Sequence, residues 1–217
     1  MINAGGNIRQ LARRRKKQAV EKFAVAGVLI VAPFLLYLIL GLTGISIFIY
    51  ISCWVGGAVQ ARKGQKLLQK AGRADRGAAA EESTALILGE VEQEGWKVEY
   101  NIPIKHWGDA DAFICSPKNN CFVVDTKSNK GTVFFDGTKL MLRYGQKIYP
   151  FPKDKDILKA ARGQAVTLRE MKGVRFVTPV LCFTKANLDI KTIDNKVENV
   201  YVLTHSSLVR MLRRLDR

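Results

Sequence analysis

An uncharged apolar stretch dominates the first third of the chain. No Asp, Glu, Lys or Arg occurs from Phe23 to Ala61, a run of 39 residues in a chain of 217. A single helix of that length would be roughly twice as long as a bilayer core is thick. A signal peptide has a much shorter apolar core, and the helix of a soluble protein is apolar along one stripe only. The pattern therefore predicts a membrane segment.

A turn-like break divides this segment. Residues 41–44 read Gly-Leu-Thr-Gly and separate 23–40 from 45–61, each just long enough to span a bilayer as a helix. Five consecutive basic residues precede the segment, and six more lie within 62–76. Because basic flanks mark the cytoplasmic side, we expect two crossings, with both ends in the cytoplasm. The alternative is one long span, tilted or kinked at Pro33, which would place the rest of the chain outside.

The net charge of +16 is unevenly distributed. Residues 1–78 carry 13 Lys and Arg against two acidic residues, whereas residues 79–217 carry 22 against 17. Most of the excess thus flanks the apolar segment, where membrane anchoring and attraction to anionic lipid account for it. The remaining charge permits a nucleic-acid ligand without requiring one.

The periodicity of the rest of the chain predicts an α/β domain. We divide the sequence into a basic N-terminus (1–22), the membrane segment (23–61), a basic linker (62–78) and a domain (79–217). The predicted helices are 79–94, 157–171 and 206–215, and the predicted strands are 96–102, 111–115, 121–126, 131–135, 140–144, 147–151, 175–183 and 200–203. This order predicts helices around one mixed sheet, preceded by a transmembrane helical hairpin.

The cysteines and histidines give no sign of a zinc site. Cys53, Cys115, Cys121 and Cys182 show no CxxC spacing, and the two histidines lie far apart in the sequence. Free buried thiols in a reducing compartment are the expectation.

Three charged residues stand at the ends of two predicted strands. The strand 121–126 is apolar on both faces and should be central, and its alternation places Asp125 and Lys127 on the same side. A turn at 117–120 would bring Asp111 beside Asp125. Adjacent carboxylates repel each other unless a cation lies between them or one is protonated. An Asp125–Lys127 ion pair is the structural interpretation, and a Mg²⁺ site for phosphodiester hydrolysis is the functional one.

These residues resemble a known family. The segment from Gly108 to Gly131, with its Gly-Asp-Ala-Asp and Val-Val-Asp-Thr-Lys runs, resembles the nuclease-related domain (NERD) of bacterial proteins. That domain belongs to the PD-(D/E)xK superfamily, and the similarity extends over about 77–215. It implies a restriction-endonuclease-like mixed sheet flanked by helices. Asp125 stands where the family more often has Glu, and Ala80 stands where it has Gly.

The resemblance also implies roles for individual residues. Asp111 and Asp125 would bind Mg²⁺ or Mn²⁺, and Lys127 would be the catalytic lysine. Glu81 would be an auxiliary acid and Gln164 a supporting polar residue. An ordinary acid in the first turn of a helix, and a solvated helix residue, are the alternatives for these last two.

We therefore expect a membrane-anchored, Mg²⁺-dependent nuclease with its domain on the cytoplasmic side of the inner membrane. Its substrate would be nucleic acid, with DNA favoured, hydrolysed by a water molecule that the metal activates. Basic side chains would contact the phosphates without reading sequence: Lys130, Lys139, Arg143 and Lys147. A weak or inactive module that tethers nucleic acid or a protein partner at the membrane is the alternative. In a third interpretation the hairpin itself carries the function.

Overall fold

The computed structural model describes residues 6–40, 44–151 and 156–216. They form two compact units, one of residues 6–76 and one that begins at Gly77. The boundary lies inside a long helix, α2 (Gly44–Gln93), which follows α1 (Gly6–Leu40). Residues 41–43, where the turn of the membrane segment was predicted, lie outside the described residues.

The first unit is a helical hairpin (residues 6–76) in which α1 and the first part of α2 pack antiparallel. Small buried residues recur every seven positions on both helices: Ala12, Ala19 and Ala26 on α1, and Gly57, Gly64 and Ala71 on α2. A seven-residue repeat keeps one seam of each helix facing its partner, and small side chains let the two backbones approach closely. A Cβ on Gly57 would lie 3.2 Å from the Ala26 carbonyl oxygen, so this position requires glycine or a local shift.

The seam extends beyond the apolar segment into the basic one. Lys16 Nζ lies 2.6 Å from Asp75 Oδ2, and the Arg15 guanidinium donates to the Lys70 carbonyl at 3.3 Å. Residues 62–78 are therefore part of α2, and the helix predicted to begin at 79 begins at Gly44 instead. Residues 62–78 have no stripe of large apolar residues and therefore resembled a linker, but glycine and alanine form a buried stripe there: Gly64, Ala71 and Ala78.

The outer surface of the hairpin is apolar along the uncharged part of its helices, between residues 23 and 61. Val28, Phe34 and Ile39 on α1 are 66%, 59% and 77% exposed, and Trp54 on α2 is also exposed. Within the described residues, one helix is long and apolar enough to cross a membrane, Gly6–Ile39. Large apolar side chains on the outside and small ones inside are the reverse of a soluble helix pair.

The second unit is an α/β domain, as predicted, but it has two sheets. The strands are β1 (Lys97–Ile102), β2 (Ala110–Cys115), β3 (Cys121–Lys127), β4 (Thr132–Phe135), β5 (Leu140–Tyr144), β6 (Lys147–Pro150), β7 (Val177–Phe183), β8 (Asn187–Asp189), β9 (Lys196–Val197) and β10 (Val200–Thr204). A mixed sheet has the order β1-β2-β3-β7-β10-β9, and a smaller one has the order β6-β5-β4-β8. The prediction of one sheet was wrong because β4 pairs with the short, unpredicted β8 rather than with β3.

Helices cover both faces of the larger sheet. On one face, α3 (Ile157–Lys172) packs Ala165 and Leu168 against Val123 of β3. On the other, the end of α2 and α4 (Leu208–Leu215) pack against Val124. Because β3 lies between β2 and β7 and is covered on both faces, its run of apolar residues is fully buried.

The cysteines differ from the expectation of free thiols. Cys115 and Cys121 are cross-strand partners in the β2–β3 hairpin, with Cα atoms 4.2 Å apart, and they form a disulfide. Their pairing depends on strand register, which the spacing of the two cysteines alone does not reveal. Cys182 is free and buried, and Cys53 is free and half-buried.

Candidate active site

Two strands and a helix bring four charged residues together near one end of the larger sheet. The β2–β3 register pairs Ala112 with Val124, which sets Asp111 next to Asp125. Lys127 follows on the same face of β3, and Glu81 comes from the part of α2 that belongs to the domain. We call Glu81, Asp111, Asp125 and Lys127 the carboxylate cluster.

Direct contacts hold three members of this cluster in place along β3. The Lys127 ammonium donates to both carboxylate oxygens of Asp125, at 2.5 and 2.6 Å. Asp125 is only 8% exposed. Asp111 Oδ2 accepts a 2.6 Å hydrogen bond from the backbone N–H of Thr126. An ion pair between a buried carboxylate and a half-buried ammonium therefore lies beside a second, half-buried carboxylate.

The negative charge of the cluster exceeds what its lysine compensates. Burial, and then the charges of Asp125 and Glu81, hold the pKa of Asp111 well above its ordinary value, although Lys127 and the Thr126 N–H oppose this. Burial lowers the pKa of Lys127, but the surrounding carboxylates outweigh it, so that pKa is raised. The lysine is therefore held protonated, and an additional cation would be stabilised here.

Glu81 lies inside a helix rather than at its beginning. Since α2 begins at Gly44, the interpretation of Glu81 as an ordinary first-turn acid is wrong. Its side chain is buried, and its charge acts on both Asp111 and Lys127. One turn later Thr84 is also buried, with its hydroxyl 3.4 Å from that of Thr126. This face of α2 therefore belongs to the site.

Gln164 contacts the loop before β2 rather than the carboxylates. It is 3% exposed, so the interpretation as a solvated residue is wrong. Its amide nitrogen donates to the carbonyls of Trp107 and Asp109 at 3.4 and 3.2 Å, and its Oε1 has no hydrogen-bond partner among the described residues. The Trp107 indole packs on Gly163, where a Cβ would lie 2.3 Å from the ring. Together these contacts position the chain that leads into Asp111.

Several residues of the site carried no signal in the sequence. Besides Thr84 and Gly163, the buried Cys182 lies close by, and burial raises the pKa of its thiol to about 12. These contacts join residues far apart in the chain, so no short motif contains them. Of the predicted phosphate contacts, Arg143 is bonded to Asp189 at 2.8 Å in the smaller sheet.

The donor set suits a cation that needs few protein ligands. In residues 6–40, 44–151 and 156–216, no group of three His, Cys, Asp or Glu side chains is close enough to hold a metal ion. Mg²⁺ requires only one or two carboxylates and keeps several waters. The buried Asp125 and the half-buried Asp111, side by side with excess negative charge, fit that requirement.

Comparison with known proteins gives one match. The family model of the nuclease-related domain matches residues 76–184, half of the chain. No curated protein and no solved structure matches the chain.

Proposed function

Because the chain belongs to the nuclease-related domain family, we propose that it is a membrane-anchored, Mg²⁺-dependent nuclease. The observation that carries this proposal is the uncompensated negative charge of the carboxylate cluster, which raises the pKa of Asp111. Perturbed titratable groups of this kind are concentrated at functional sites. The substrate would be the phosphodiester backbone of nucleic acid, with DNA favoured.

Asp111 and Asp125 would hold the Mg²⁺ or Mn²⁺ ion. Their mutual repulsion supports this assignment, because a divalent cation between them would offset it. A bound ion supplies Lewis acidity toward the phosphate and the attacking water. The Thr126 N–H fixes Asp111 through Oδ2 and leaves Oδ1 available.

Lys127 would stabilise the charge that develops on the scissile phosphate. Its ammonium is kept protonated by the surrounding carboxylates and can donate to a non-bridging phosphate oxygen. Glu81 would orient the attacking water and accept its proton while the bond from phosphorus to the leaving oxygen breaks. Gln164 would act through the loop that it holds before Asp111.

The helical hairpin would be the membrane anchor, crossing twice with both ends in the cytoplasm. Its exposed apolar surface and its basic flanks support this arrangement. A disulfide such as Cys115–Cys121 is uncommon in a reducing compartment. If the domain is cytoplasmic, this bond should be reduced in cells, and we expect the thiols of Cys115 and Cys121 to react with a membrane-permeant alkylating reagent. We also expect a reporter fused after Arg217 to be cytoplasmic. An external reporter would refute this topology.

A second candidate function is a module that tethers nucleic acid or a protein without cleaving it. The direct Asp125–Lys127 ion pair favours this function, because such a pair can be purely structural. The lack of a three-residue metal group among the described residues favours it as well.

Cleavage by the full chain in lipid nanodiscs separates the two functions. Wild-type protein with Mg²⁺ or Mn²⁺ should cut labelled DNA or RNA, and Asp125→Ala and Lys127→Ala should each reduce the rate about 100-fold or more. Asp109→Ala is the matched control, since Asp109 is exposed and lies only two positions before Asp111. Binding without cleavage by the wild type, with either metal, would favour the tether and refute the nuclease.

A further inference from the structure

A cavity of about 540 Å³ lies at the opposite end of the larger sheet from the carboxylate cluster. Its floor contains Cys121 and Phe122, which begin β3, together with Tyr201 of β10. Four residues along β3 separate Cys121 from Asp125, about 13 Å in a strand. The volume is within the range of small-ligand sites. The cavity is thus separate from the carboxylate cluster.

The lining of this cavity favours an anion. Arg175 and Lys196 are exposed there, and none of the described residues that line the cavity is acidic. Lys196 Nζ lies 5.3 Å from the centre of the Tyr201 ring, and neither cation is among the ion pairs of the described residues. Asp216 is outside the lining and accepts a 2.8 Å hydrogen bond from the Asn120 amide, so it offsets at most one of the two positive charges. An excess of positive charge at a concave site suits a phosphate group.

The same lining offers a surface for an aromatic ring. Phe176, next to Arg175, is 64% exposed, an unusual position for a large apolar side chain without a partner. Asn119, Asn120 and Asn199 add amide groups that can both donate and accept. Stacking on an aromatic side chain together with amide hydrogen bonds is how proteins hold a nucleobase.

The wall of the cavity is preformed. The turn that carries Asn119 and Asn120 is closed by 3.0 Å backbone hydrogen bonds, from the Ser116 N–H to the Asn120 carbonyl and from the Asn119 N–H to the Ser116 carbonyl. Within it, Ser116 Oγ accepts 3.2 Å hydrogen bonds from the N–H groups of Lys118 and Asn120. A wall fixed before binding loses little conformational entropy when a ligand binds.

From the pairing of Arg175 and Lys196 with Phe176 and the asparagines, we propose that this cavity binds a nucleotide. The phosphate would contact the two cations, and the base would stack on Phe176. Binding here does not require hydrolysis at Asp125, because the two sites lie at opposite ends of β3.

Calorimetric titration of the full chain in nanodiscs, with EDTA present, tests this proposal. The probes are AMP, adenosine and inorganic phosphate. We expect AMP to bind more tightly than either fragment, and Arg175→Ala to weaken AMP binding about tenfold or more. Phe176→Ala should weaken the binding of AMP and of adenosine and leave the binding of phosphate unchanged. Arg210→Ala, a charge-matched change at an exposed position of α4 outside the lining, should have no effect.

Three results would overturn the proposal: no AMP binding by the wild type at millimolar concentration, equal binding by Arg175→Ala, or phosphate binding as tight as AMP binding. Asp125→Ala separates the two sites, since it should keep full AMP affinity even though it is expected to lose cleavage. Loss of AMP binding in Asp125→Ala, with unchanged far-ultraviolet circular dichroism, would place the nucleotide at the carboxylate cluster and contradict the second site.

Discussion

The helical hairpin and the α/β domain use apolar side chains in opposite ways. The domain buries large ones such as Phe122 and Leu158, whereas the hairpin buries alanine and glycine and exposes Val28, Phe34 and Ile39. Water drives large apolar groups inward, but lipid provides no such force, and close packing of small residues then joins the helices. Each unit therefore fits a different solvent, water for the domain and, under the proposed anchoring, lipid for the hairpin. The domain departs from its own rule where it buries charge, at the carboxylate cluster, and where it exposes Phe176.

The largest expected effect on stability is at the Asp125–Lys127 ion pair. Asp125→Asn removes the direct partner of Lys127, whose side chain is 26% exposed, and with it two charge-assisted hydrogen bonds, so the free energy of unfolding should fall by about 2–3 kcal/mol. Asp189→Asn, which removes the exposed partner of Arg143, is the matched control and should cost less than about 1 kcal/mol. Chemical denaturation of the full chain measures both. Equal effects would mean that the cluster is solvated like an ordinary surface.

Adding a methyl group to α3 where it contacts Trp107 should have the next largest effect on stability. Gly163→Ala would place Cβ 2.3 Å from the indole and displace the loop before Asp111, at a cost of about 1–3 kcal/mol. Gly89→Ala is the control, because nothing lies within 4 Å of the added Cβ and alanine favours helix by about 1 kcal/mol. The two substitutions should therefore shift the thermal midpoint in opposite directions. A stabilising Gly163→Ala would show that Trp107 does not pack there.

In the hairpin, two adjacent glycines should respond differently to the same change. A Cβ on Gly57 would lie 2.8 Å from Ile30 Cγ1 and 3.2 Å from a backbone oxygen, whereas one on Gly56 meets only Leu29, at 3.6 Å. Gly57→Leu should therefore weaken helix packing by about 1–2 kcal/mol and Gly56→Leu by less. Unfolding by dodecyl sulfate in mixed micelles compares them. Identical midpoints would argue against the seam of small residues.

The smallest effect has the opposite sign. Asp111→Asn removes one of the repelling carboxylates and keeps an acceptor for the Thr126 N–H, so metal-free protein should gain about 1 kcal/mol. Because the pKa of Asp111 is raised in the folded state, the electrostatic cost of its ionised form is present above that pKa. It is lost as pH falls toward the ordinary aspartate range. The difference in unfolding free energy between Asp111→Asn and the wild type should therefore shrink as pH falls. A difference that does not change with pH would contradict the repulsion between Asp111 and its neighbouring carboxylates.

Local patterns predicted the local structure well. The apolar run of β3 predicted the bounds of that strand to within one residue, and the alternation of side chains correctly predicted that Asp125 and Lys127 lie on one face. The turn before β3 brought Asp111 beside them, as expected. The family and the α/β class are confirmed. The roles of these residues in catalysis and metal binding stay predictions.

Features that depend on distant pairing were not predictable. The Cys115–Cys121 bond follows from strand register, and the second sheet follows from the pairing of β4 with β8. The hydrogen bonds of Gln164 connect residues 55 and 57 positions apart. Alanine and glycine in 62–78 suggested a linker, because the residues that pack against them lie far earlier in the chain.

The most direct test of the account is whether the carboxylate cluster binds Mg²⁺. Calorimetric titration of Mg²⁺ into the full chain in nanodiscs should show a site that Asp111→Asn and Asp125→Asn each weaken about tenfold or more. Asp109→Asn should leave this site unchanged. If the wild type binds no Mg²⁺, or if all four proteins bind it equally, the cluster is a structural ion pair and the metal-dependent nuclease is contradicted.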